Sequence, residues 1–294
     1  MTLEQLRIFV AVAEREHLTN AALAVSLTPS AVSSAIQALE NRHGVLLFNR
    51  VGRRIELTQA GRIFLHEARA TLARAQAAEL ALAELGGLKR GSLIIQASQT
   101  IASYWLPALL VRFRKQYPAI DIQLVVGNTE TVAQAVLDGS AELGFVEGEV
   151  HLPALSSRVV AHDHLIIVVS PGHPWSHGRP IPARDLADSA WVLREPGSGT
   201  RSVFEASLRQ HGTDPEALTV TLELPSNEAV RAAVESGIGA TAVSEMVAAL
   251  HLDAGRLVRV GFDLTPRTFT MLRHKERYQT KASKAFEELI SPLE

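Results

Sequence analysis

The 294-residue sequence predicts a multidomain protein with a small, mainly helical N-terminal domain, a long linker helix and a C-terminal α/β domain of two lobes. Three observations predict this fold class. Apolar residues recur at helical spacing up to about residue 43. An alanine-rich stretch without proline then runs from Gln59 to about Leu85. Beyond Gly91, short apolar runs alternate with helical segments, which is typical of α/β domains.

Three short helices are predicted first. Thr2 and Gln5 have the spacing of a capping box at the start of the first helix. A second helix is predicted to begin after Thr19. Thr28 and Pro29 then fit the N-cap and first position of a third helix. The residues expected to face inward from the second helix are Ala22, Leu23 and Leu27.

The third helix has one apolar and one polar face. Its predicted buried stripe is Val32, Ile36 and Leu39, at helical spacing. The opposite face consists of short hydrogen-bonding side chains, namely Ser30, Ser33, Ser34, Gln37 and Asn41. Gly44 is predicted to end this helix. We therefore expect a solvent-facing surface that can approach another molecule closely.

A β-hairpin and the long helix complete the N-terminal half. The hairpin is predicted over 46–57 and carries Arg50, Arg53 and Arg54. Along the long helix, residues at alternating spacings of four and three form a heptad-like row, which is typical of dimerising helices: Gly61, Leu65, Ala68, Leu72, Ala75 and Leu82. We assign residues 1–58 to the first domain and 59–88 to the linker and dimerisation helix.

The C-terminal domain, residues 91–294, is predicted to contain βαβ units on largely parallel sheets. Expected strands are Ser92–Ala97, Ile120–Gly127, Glu142–Val146, Leu165–Val169, Trp191–Leu193, Thr219–Leu224, Ala240–Val243 and Arg267–Arg273. Expected helices are Ile101–Tyr117, Thr131–Leu137, Ser202–His211, Glu228–Ser236 and Lys281–Leu289. We predict that the chain passes from a first lobe to a second and then returns to the first. Lobe I therefore comprises 91–161 and 266–294, and lobe II comprises 162–265.

Charge and composition restrict the function. Residues 1–90 contain 11 Lys or Arg and 8 Asp or Glu, whereas the whole chain has a net charge of −2, so basic character is concentrated at the N-terminal end. No cysteine occurs, which excludes disulfides and thiolate chemistry and fits a reducing cytoplasm. We see neither a signal peptide nor an apolar run long enough to cross a membrane, and we expect a cytoplasmic protein without a membrane partner.

Three polar segments are predicted to converge in the cleft between the lobes. Each follows a strand and precedes a helix, where free backbone N–H groups favour anions. The segments are Ser98, Gln99 and Thr100; Asn128 and Thr129; and Gly197, Ser198, Gly199, Thr200 and Arg201. The Arg201 guanidinium adds positive charge. We therefore expect a small anionic ligand, with a sulfur oxyanion, a phosphorylated metabolite and a carboxylate left open.

The order of motifs resembles the LysR-type transcriptional regulators. The resemblance rests mainly on five stretches: Leu3/Leu6/Phe9, Ala21-Ala22-Leu23, Thr28-Pro29-Ser30-Ala31-Val32-Ser33, Leu47-Phe48-Asn49-Arg50 and Leu57-Thr58-Gln59-Ala60-Gly61. It continues more loosely to the C-terminus. Ser34 departs from the family pattern, in which a long basic or polar residue is common. The DNA sequence recognised by the family therefore does not carry over.

The resemblance implies an N-terminal all-α winged helix-turn-helix and a periplasmic-binding-protein-like effector domain that holds its ligand between the lobes. Ser30, Ser33, Ser34 and Gln37 are then expected at base edges, Arg50, Arg53 and Arg54 at phosphates, and Thr28 and Pro29 among the DNA-binding residues at the start of the helix. It also implies a homodimer or homotetramer on a roughly palindromic site in double-stranded DNA, with RNA polymerase as a further candidate partner. The segment 194–201 resembles a subgroup associated with sulfur and carbon assimilation.

Two other function classes, an enzyme and a solute-binding protein, fit the sequence less well. An enzyme is disfavoured because the sequence has no Gly-x-Ser-x-Gly elbow, dinucleotide fingerprint or P-loop. A solute-binding protein would suit the two lobes but leaves the first 60 residues without a role. His162, His164, His173 and His177 lack a third ligand at suitable spacing, so we predict neither a metal site nor a cofactor.

Overall fold

The computed structural model describes residues 1–51, 54–85 and 91–290. The chain divides into two compact units. One contains the N-terminal helices, the hairpin and the long helix, together with Leu137–Ser140. The other contains the rest of the C-terminal α/β domain.

The N-terminal unit contains α1 (Leu3–Arg15), α2 (Leu18–Ala24), α3 (Pro29–His43), β1 (Phe48–Val51), β2 (Arg54–Leu57) and α4 (Gln59–Leu85). Local sequence explains the ends. Thr2 and Gln5 form the predicted capping box on α1. Thr28 Oγ1 accepts a hydrogen bond from the Ala31 N–H at 3.2 Å and begins α3. Gly44 ends α3 with a φ of +66°, a left-handed conformation that glycine adopts without strain.

The core of this unit lies among α1, α2, α3 and the start of α4, and it includes Phe9, Val32, Ile36 and Leu39 as expected. The prediction for α2 was partly wrong. The helix begins at Leu18, and Leu23 is 75% exposed. A seven-residue helix buries only a narrow stripe, which the small side chains of Ala21 and Ala22 fill.

The long helix α4 has two parts with different surroundings. Gly61 and Ala68 are buried, and Leu65 and Leu72 pack against the core of the N-terminal unit. Leu82, near the other end, is 70% exposed. The first half of the heptad-like row therefore packs in the core of the N-terminal unit, and only the second half is exposed and available to a partner.

The C-terminal unit has ten strands among the described residues. They are β3 (Gly91–Ser98), β4 (Ile120–Gly127), β5 (Leu143–Glu147), β6 (Leu155–Asp163), β7 (Leu165–Val169), β8 (Ala190–Arg194), β9 (Thr219–Leu224), β10 (Ala240–Ser244), β11 (Val258–Arg259) and β12 (Arg267–His274). Its helices are α5 (Leu106–Gln116), α6 (Thr129–Asp138), α7 (Gly199–Gln210), α8 (Asn227–Glu235), α9 (Glu245–Asp253) and α10 (Lys281–Ile290). A π-helical turn, Ile101–Trp105, precedes α5.

The strands form two five-stranded sheets, in the orders β4-β3-β5-β12-β6 and β11-β7-β10-β8-β9. The sheets are mixed, which corrects the prediction of largely parallel sheets. In the first, β12 runs antiparallel to β5 and β6; in the second, β7 runs antiparallel to β10 and β11. In the first sheet, the reason is the path of the chain. It leaves this sheet after β6, forms the second sheet, and returns as β12, which begins where β5 ends and therefore runs in the opposite direction.

Two strands were not predicted, β6 and β11. β6 lies at an edge of its sheet, and its polar residues Ser156, Ser157 and Arg158 interrupt any apolar run. β11 is only two residues long. Edge strands expose one side and therefore lack the continuous hydrophobicity of buried parallel strands.

Each lobe has its own aromatic core. In the first, Phe113, Phe145, Phe269 and Phe286 are fully buried. In the second, Trp191 packs on Phe204 and donates its indole N–H to the Leu186 carbonyl at 2.8 Å. Of the helices described, none is by itself long and apolar enough to cross a membrane, and by length and composition alone only α2 and α3, bent by 102°, pass that test as a pair.

Candidate DNA-binding surface and effector cleft

The polar face of α3 lies where the sequence predicts it. Ser30, Ser34 and Gln37 are exposed and Ser33 is half-buried, while the opposite face is in the core. Hydroxyl and amide groups on a helix can exchange hydrogen bonds with base edges in the major groove. The exposed face of α3 therefore has the chemistry of a DNA-reading surface.

Thr28 and Pro29 are exposed at the start of the same helix. The Thr28 hydroxyl caps the helix and lies 3.0 Å from Ser30 Oγ. Pro29 occupies the first helical position, where no backbone N–H is needed. These two residues therefore order the end of α3 that carries Ser30.

A carboxylate that sequence reasoning did not single out joins α3 to the hairpin. Glu40 Oε1 accepts hydrogen bonds from the N–H groups of Leu47, at 2.7 Å, and Phe48, at 3.2 Å. Thr58 caps α4 by accepting from the Gly61 N–H at 2.9 Å. Gly61 itself lies so close to the Leu47 carbonyl that a side-chain carbon would overlap it. These contacts fix the hairpin between α3 and α4.

The side chains of the three hairpin arginines lie outside what the structure describes. Arg53 lies outside the described residues. Arg50 and Arg54 belong to β1 and β2, and only their backbone is described. Their contact with phosphates therefore stays a prediction.

In the C-terminal unit, two of the three predicted cleft segments meet across the lobes. The Glu130 N–H donates to the Gly197 carbonyl at 3.3 Å. Thr129 Oγ1 donates to the Glu147 carbonyl at 2.8 Å, and both atoms lie against Gly199, where an added Cβ would overlap them. The N-terminal end of α7 is therefore in close contact with the ends of β4 and β5.

The third segment, Ser98 to Thr100, meets α8 of the other lobe through Asn227. The Asn227 N–H donates to Gln99 Oε1 at 2.7 Å, and its side-chain amide donates to Thr100 Oγ1 at 3.0 Å. Gln99 Nε2 in turn donates to Glu228 at 2.8 Å. Asn227 is 1% exposed, so these hydrogen bonds lie in the interior. Sequence reasoning missed Asn227, whose only local signal is the Ser226 helix cap before it.

A second buried residue, Arg194, extends this network. It makes two hydrogen bonds to the Glu195 carboxylate, at 2.8 and 3.0 Å, and one to Asn227 Oδ1 at 2.6 Å. Asn128 donates to the same carboxylate at 3.2 Å. Burial alone would raise the pKa of Glu195, but the hydrogen bonds and charge of Arg194 outweigh it and hold that pKa below its ordinary value. Glu195 therefore joins both lobes as an anion.

Arg201 is bound elsewhere. Its guanidinium donates to Glu205 at 2.8 Å, to Glu223 at 2.5 Å and to the Arg194 carbonyl at 3.0 Å. Burial acts to lower the pKa of Arg201, but these carboxylates raise it above its ordinary value. The charge of Arg201 is thus matched by Glu205 and Glu223. Ser198, the residue before α7, is buried but makes no side-chain cap.

A buried cluster of charges lies at the crossing between the sheets. Arg267 donates from Nε to Asp163 at 2.7 Å and from Nη1 to Thr200 Oγ1 at 3.0 Å. Ser244 Oγ donates to the other oxygen of Asp163 at 2.8 Å. Glu147 Oε1 lies 4.0 Å from Arg267 Nη2. Sequence reasoning missed Glu147, Asp163 and Arg267, although each is a charged residue at the first or last position of a strand.

A cavity of about 390 Å³ opens between the lobes beside Arg194, Glu195 and Asn128. Its volume falls within the range of small-molecule sites. It is lined by Gln96, Gln99, Val126, Gly127, Asn128, Thr131, Arg194, Glu195 and Pro225. Within the described ranges, no group of three or more His, Asp or Glu side chains is placed to hold a metal ion.

Comparisons with known proteins agree with this geometry. The family model for the bacterial regulatory helix-turn-helix protein, LysR family, matches residues 3–62, and that for the LysR substrate binding domain matches residues 86–292. The HTH-type transcriptional regulator YeiE of Escherichia coli (strain K12) is 36% identical over 294 residues, which cover 99% of this chain and 98% of that protein.

Two solved structures are also similar. Full-length CbnR in complex with its target DNA has a TM-score of 0.69 at 24% identity, over 99% of both chains. The CcmR regulatory domain of Synechocystis PCC6803, in complex with 2-PG, has a TM-score of 0.62 at 25% identity, over 68% of this chain and 96% of that one. This chain therefore belongs to the LysR family of DNA-binding transcription regulators with an effector-binding domain, and it is not an enzyme.

Proposed function

We propose that this regulator binds a roughly palindromic promoter site as a homodimer or homotetramer, and that a small anion in the interlobe cleft changes its activity. The observation that carries the effector half is the convergence of three hydroxyl-bearing segments: Thr100, Thr129 and Thr200 precede or begin helices from both lobes. Such helix N-termini favour negative charge. A promoter target also requires the protein to act in the cytoplasm.

The charges of the cleft restrict which anion fits. Its two buried guanidiniums, Arg194 and Arg267, are already paired with Glu195 and Asp163. An incoming anion has to compete with these carboxylates or use hydroxyl and backbone N–H donors beside them. A small, strongly hydrogen-bonding anion is therefore favoured, and the complex of CcmR with 2-PG supports a small ligand in this domain. Sulfur oxyanions, phosphorylated metabolites and carboxylates remain the classes to test.

For the DNA half, we propose that Ser30, Ser33, Ser34 and Gln37 contact base edges, with Thr28 and Pro29 at the helix end. Arg50, Arg53 and Arg54 would contact phosphates, which position a protein without reading sequence. The open second half of α4 would pair with a second copy of the chain. Sedimentation at micromolar concentration should show a dimer or tetramer, and a stable monomer would contradict the pairing.

The effector half is tested by a thermal-shift panel of phosphate, sulfate, small carboxylates and phosphorylated acids. A ligand at about 100 times its dissociation constant stabilises the folded state by about 2.7 kcal/mol. We expect Thr100→Ala to reduce the shift, because Thr100 lies at the interlobe contact. Thr219→Ala, at an exposed position, is the matched control. An unchanged shift in Thr100→Ala would remove Thr100 from the site.

The DNA half is tested by titrating promoter fragments at several salt concentrations. Arg53→Ala should weaken binding to all sequences alike and reduce the salt slope by about one, because one phosphate contact is lost. Gln37→Ala should instead change which bases are preferred, with the salt slope unchanged. Equal slopes for Arg53→Ala and wild type would contradict the phosphate contact.

A further inference from the structure

In the described part of the chain, four buried side-chain atoms have no hydrogen-bond partner, and three of them lie at the ends of neighbouring strands. They are Ser98 Oγ, Glu147 Oε1 and Arg267 Nη2. All three side chains are at least 97% buried. A buried polar group without a partner costs about 1–3 kcal/mol, so the folded protein retains them against a real penalty.

Sheet topology brings the three residues together. Ser98 ends β3, Glu147 ends β5, and Arg267 begins β12, which lies antiparallel beside β5. The strands are adjacent in the order β3-β5-β12, so the three residues lie at the same end of the first sheet. By strand register, Glu147 and Arg267 share one face of the sheet, whereas Ser98 lies on the other face. From the second lobe, Gly199 and Thr200 close over this end. Glu147 and Arg267 therefore lie at the junction between the lobes.

The charges at this end of the sheet do not balance. Arg267 is the single cation, and its Nη2 approaches Asp163 to 2.6 Å as an ion pair without hydrogen-bond geometry. Both Asp163 oxygens have other donors, Arg267 Nε and Ser244 Oγ. Glu147 is the second anion, 4.0 Å from the same guanidinium. The Glu147 Oε1 acceptor is therefore left without a donor, beside the Arg267 Nη2 nitrogen, which makes no hydrogen bond.

We propose that Glu147 makes the cleft selective for anions that carry their own hydrogen-bond donor, which deepens the proposed function and rests on it. Such an anion accepts a hydrogen bond from Arg267 Nη2 and donates an O–H to Glu147 Oε1. Partly protonated oxyanions and hydroxy acids share this chemistry. The lobes must separate for the ligand to enter, because Gly199 and Thr200 cover this end of the sheet.

An anion that only accepts hydrogen bonds is rejected at the same place. It would leave Glu147 unpartnered and place an acceptor oxygen against its carboxylate, with no O–H between them. Hydrogen bonds to charged groups contribute about 1.5–3 kcal/mol, so the difference in affinity should be about tenfold or more. Hydrogen phosphate and sulfate are a suitable pair of probes, since they match in shape and only the first carries an O–H at neutral pH. Lactate and propionate provide the same contrast among carboxylates.

The experiment measures dissociation constants of the full-length protein for these four anions by calorimetry. Wild type should bind phosphate over sulfate, or lactate over propionate, by about tenfold or more; the pair that binds identifies the source of the anion. Glu147→Gln replaces the carboxylate by an amide that can donate, so sulfate or propionate should bind within about threefold of its partner. Glu149→Gln is the matched control, because it makes the same change at a side chain that is 85% exposed.

The outcomes separate this inference from the proposed function. Equal affinities within both pairs for wild type would overturn the role of Glu147 while leaving an anion effector in place; this comparison needs no variant. An unchanged preference in folded Glu147→Gln would overturn it too. Binding of none of the four anions, by wild type or by Glu147→Gln, would refute the anion effector and this inference with it.

Discussion

A methyl group at Gly199 should hold the two lobes apart. Gly199 is the first residue of α7, and its backbone lies against the Glu147 carbonyl and Thr129 Oγ1 of the other lobe. A Cβ at this position would overlap both oxygens. One of them is backbone and cannot rotate away, so Gly199→Ala must displace α7 from the first lobe.

The size of the effect follows from two opposing contributions. Overpacking of a tight contact costs about 1–3 kcal/mol. Alanine favours a helix over glycine by up to about 1 kcal/mol, although less at a first position. Separation also strains the hydrogen bonds that cross near α7, including Arg267 to Thr200 and Glu130 to Gly197. We expect a net loss of about 1–3 kcal/mol, which lowers the melting temperature by about 2–10 °C in a domain of this size.

Differential scanning fluorimetry of the full chain measures this change, with Gly172→Ala as the control. Gly172 is exposed and has open space around its Cα, so its substitution should change the melting temperature little. Small-angle scattering should show a larger radius of gyration for Gly199→Ala, and binding of the effector anion should weaken. A Gly199→Ala protein that melts like Gly172→Ala would refute the closed contact between the lobes.

Three further predictions concern single contacts. Gly61→Ala should destabilise the N-terminal unit by about 1–3 kcal/mol, because its Cβ overlaps the Leu47 carbonyl; hydrogen exchange of the hairpin would show it, and unchanged protection would contradict it. Asn227→Ala should cost about 2 kcal/mol or more in urea unfolding, since it removes the hydrogen-bond partner of buried Arg194 Nη1 and of Thr100 Oγ1; a loss no larger than that of exposed Asn20→Ala would refute this. Burial raises the pKa of Glu195, yet Arg194 lowers it more, so its stabilisation is present above the unfolded pKa of about 4.3 and is lost as pH falls through the lower folded pKa. Glu195→Gln should therefore flatten the loss of stability below about pH 4.3, and a pH profile parallel to wild type would count against the Arg194 pair.

The fold could be predicted well wherever a local signal exists. Thr2, Thr28 and Gly44 determine helix ends through caps and a left-handed turn, and the structure shows each of them. Whether neighbouring strands are parallel or antiparallel could not be predicted, because it depends on the end of the sheet at which the returning chain enters. The exposed Leu23 was missed because helical spacing does not show how wide a stripe a short helix buries.

The hydroxyl-bearing residues of the candidate site could be predicted from the sequence, but the pairing of its charged residues could not. Segments such as Ser98–Thr100 are recognisable because each joins a strand to a helix. Arg201 belongs to such a segment, yet it pairs with Glu205 and Glu223 from its own lobe. Glu147 and Arg267 are 120 positions apart in the chain, and only the antiparallel return of β12 brings them together. Pairing over such distances leaves no trace in local spacing.

The attachment of α4 to the N-terminal core has a geometric consequence for the reading of DNA. Since Ala68 and Leu72 pack in that core, the helix and α3 belong to one stiff body. With 27 residues, α4 is about 40 Å long at 1.5 Å per residue. If α4 tilts by about 5° about its C-terminal end, the polar face of α3 at the other end moves by about 3.5 Å. That arc matches the 3.4 Å rise between successive base pairs, so for an α3 that reads DNA as proposed, the lever arm would convert a small angle into a shift of one step along the groove.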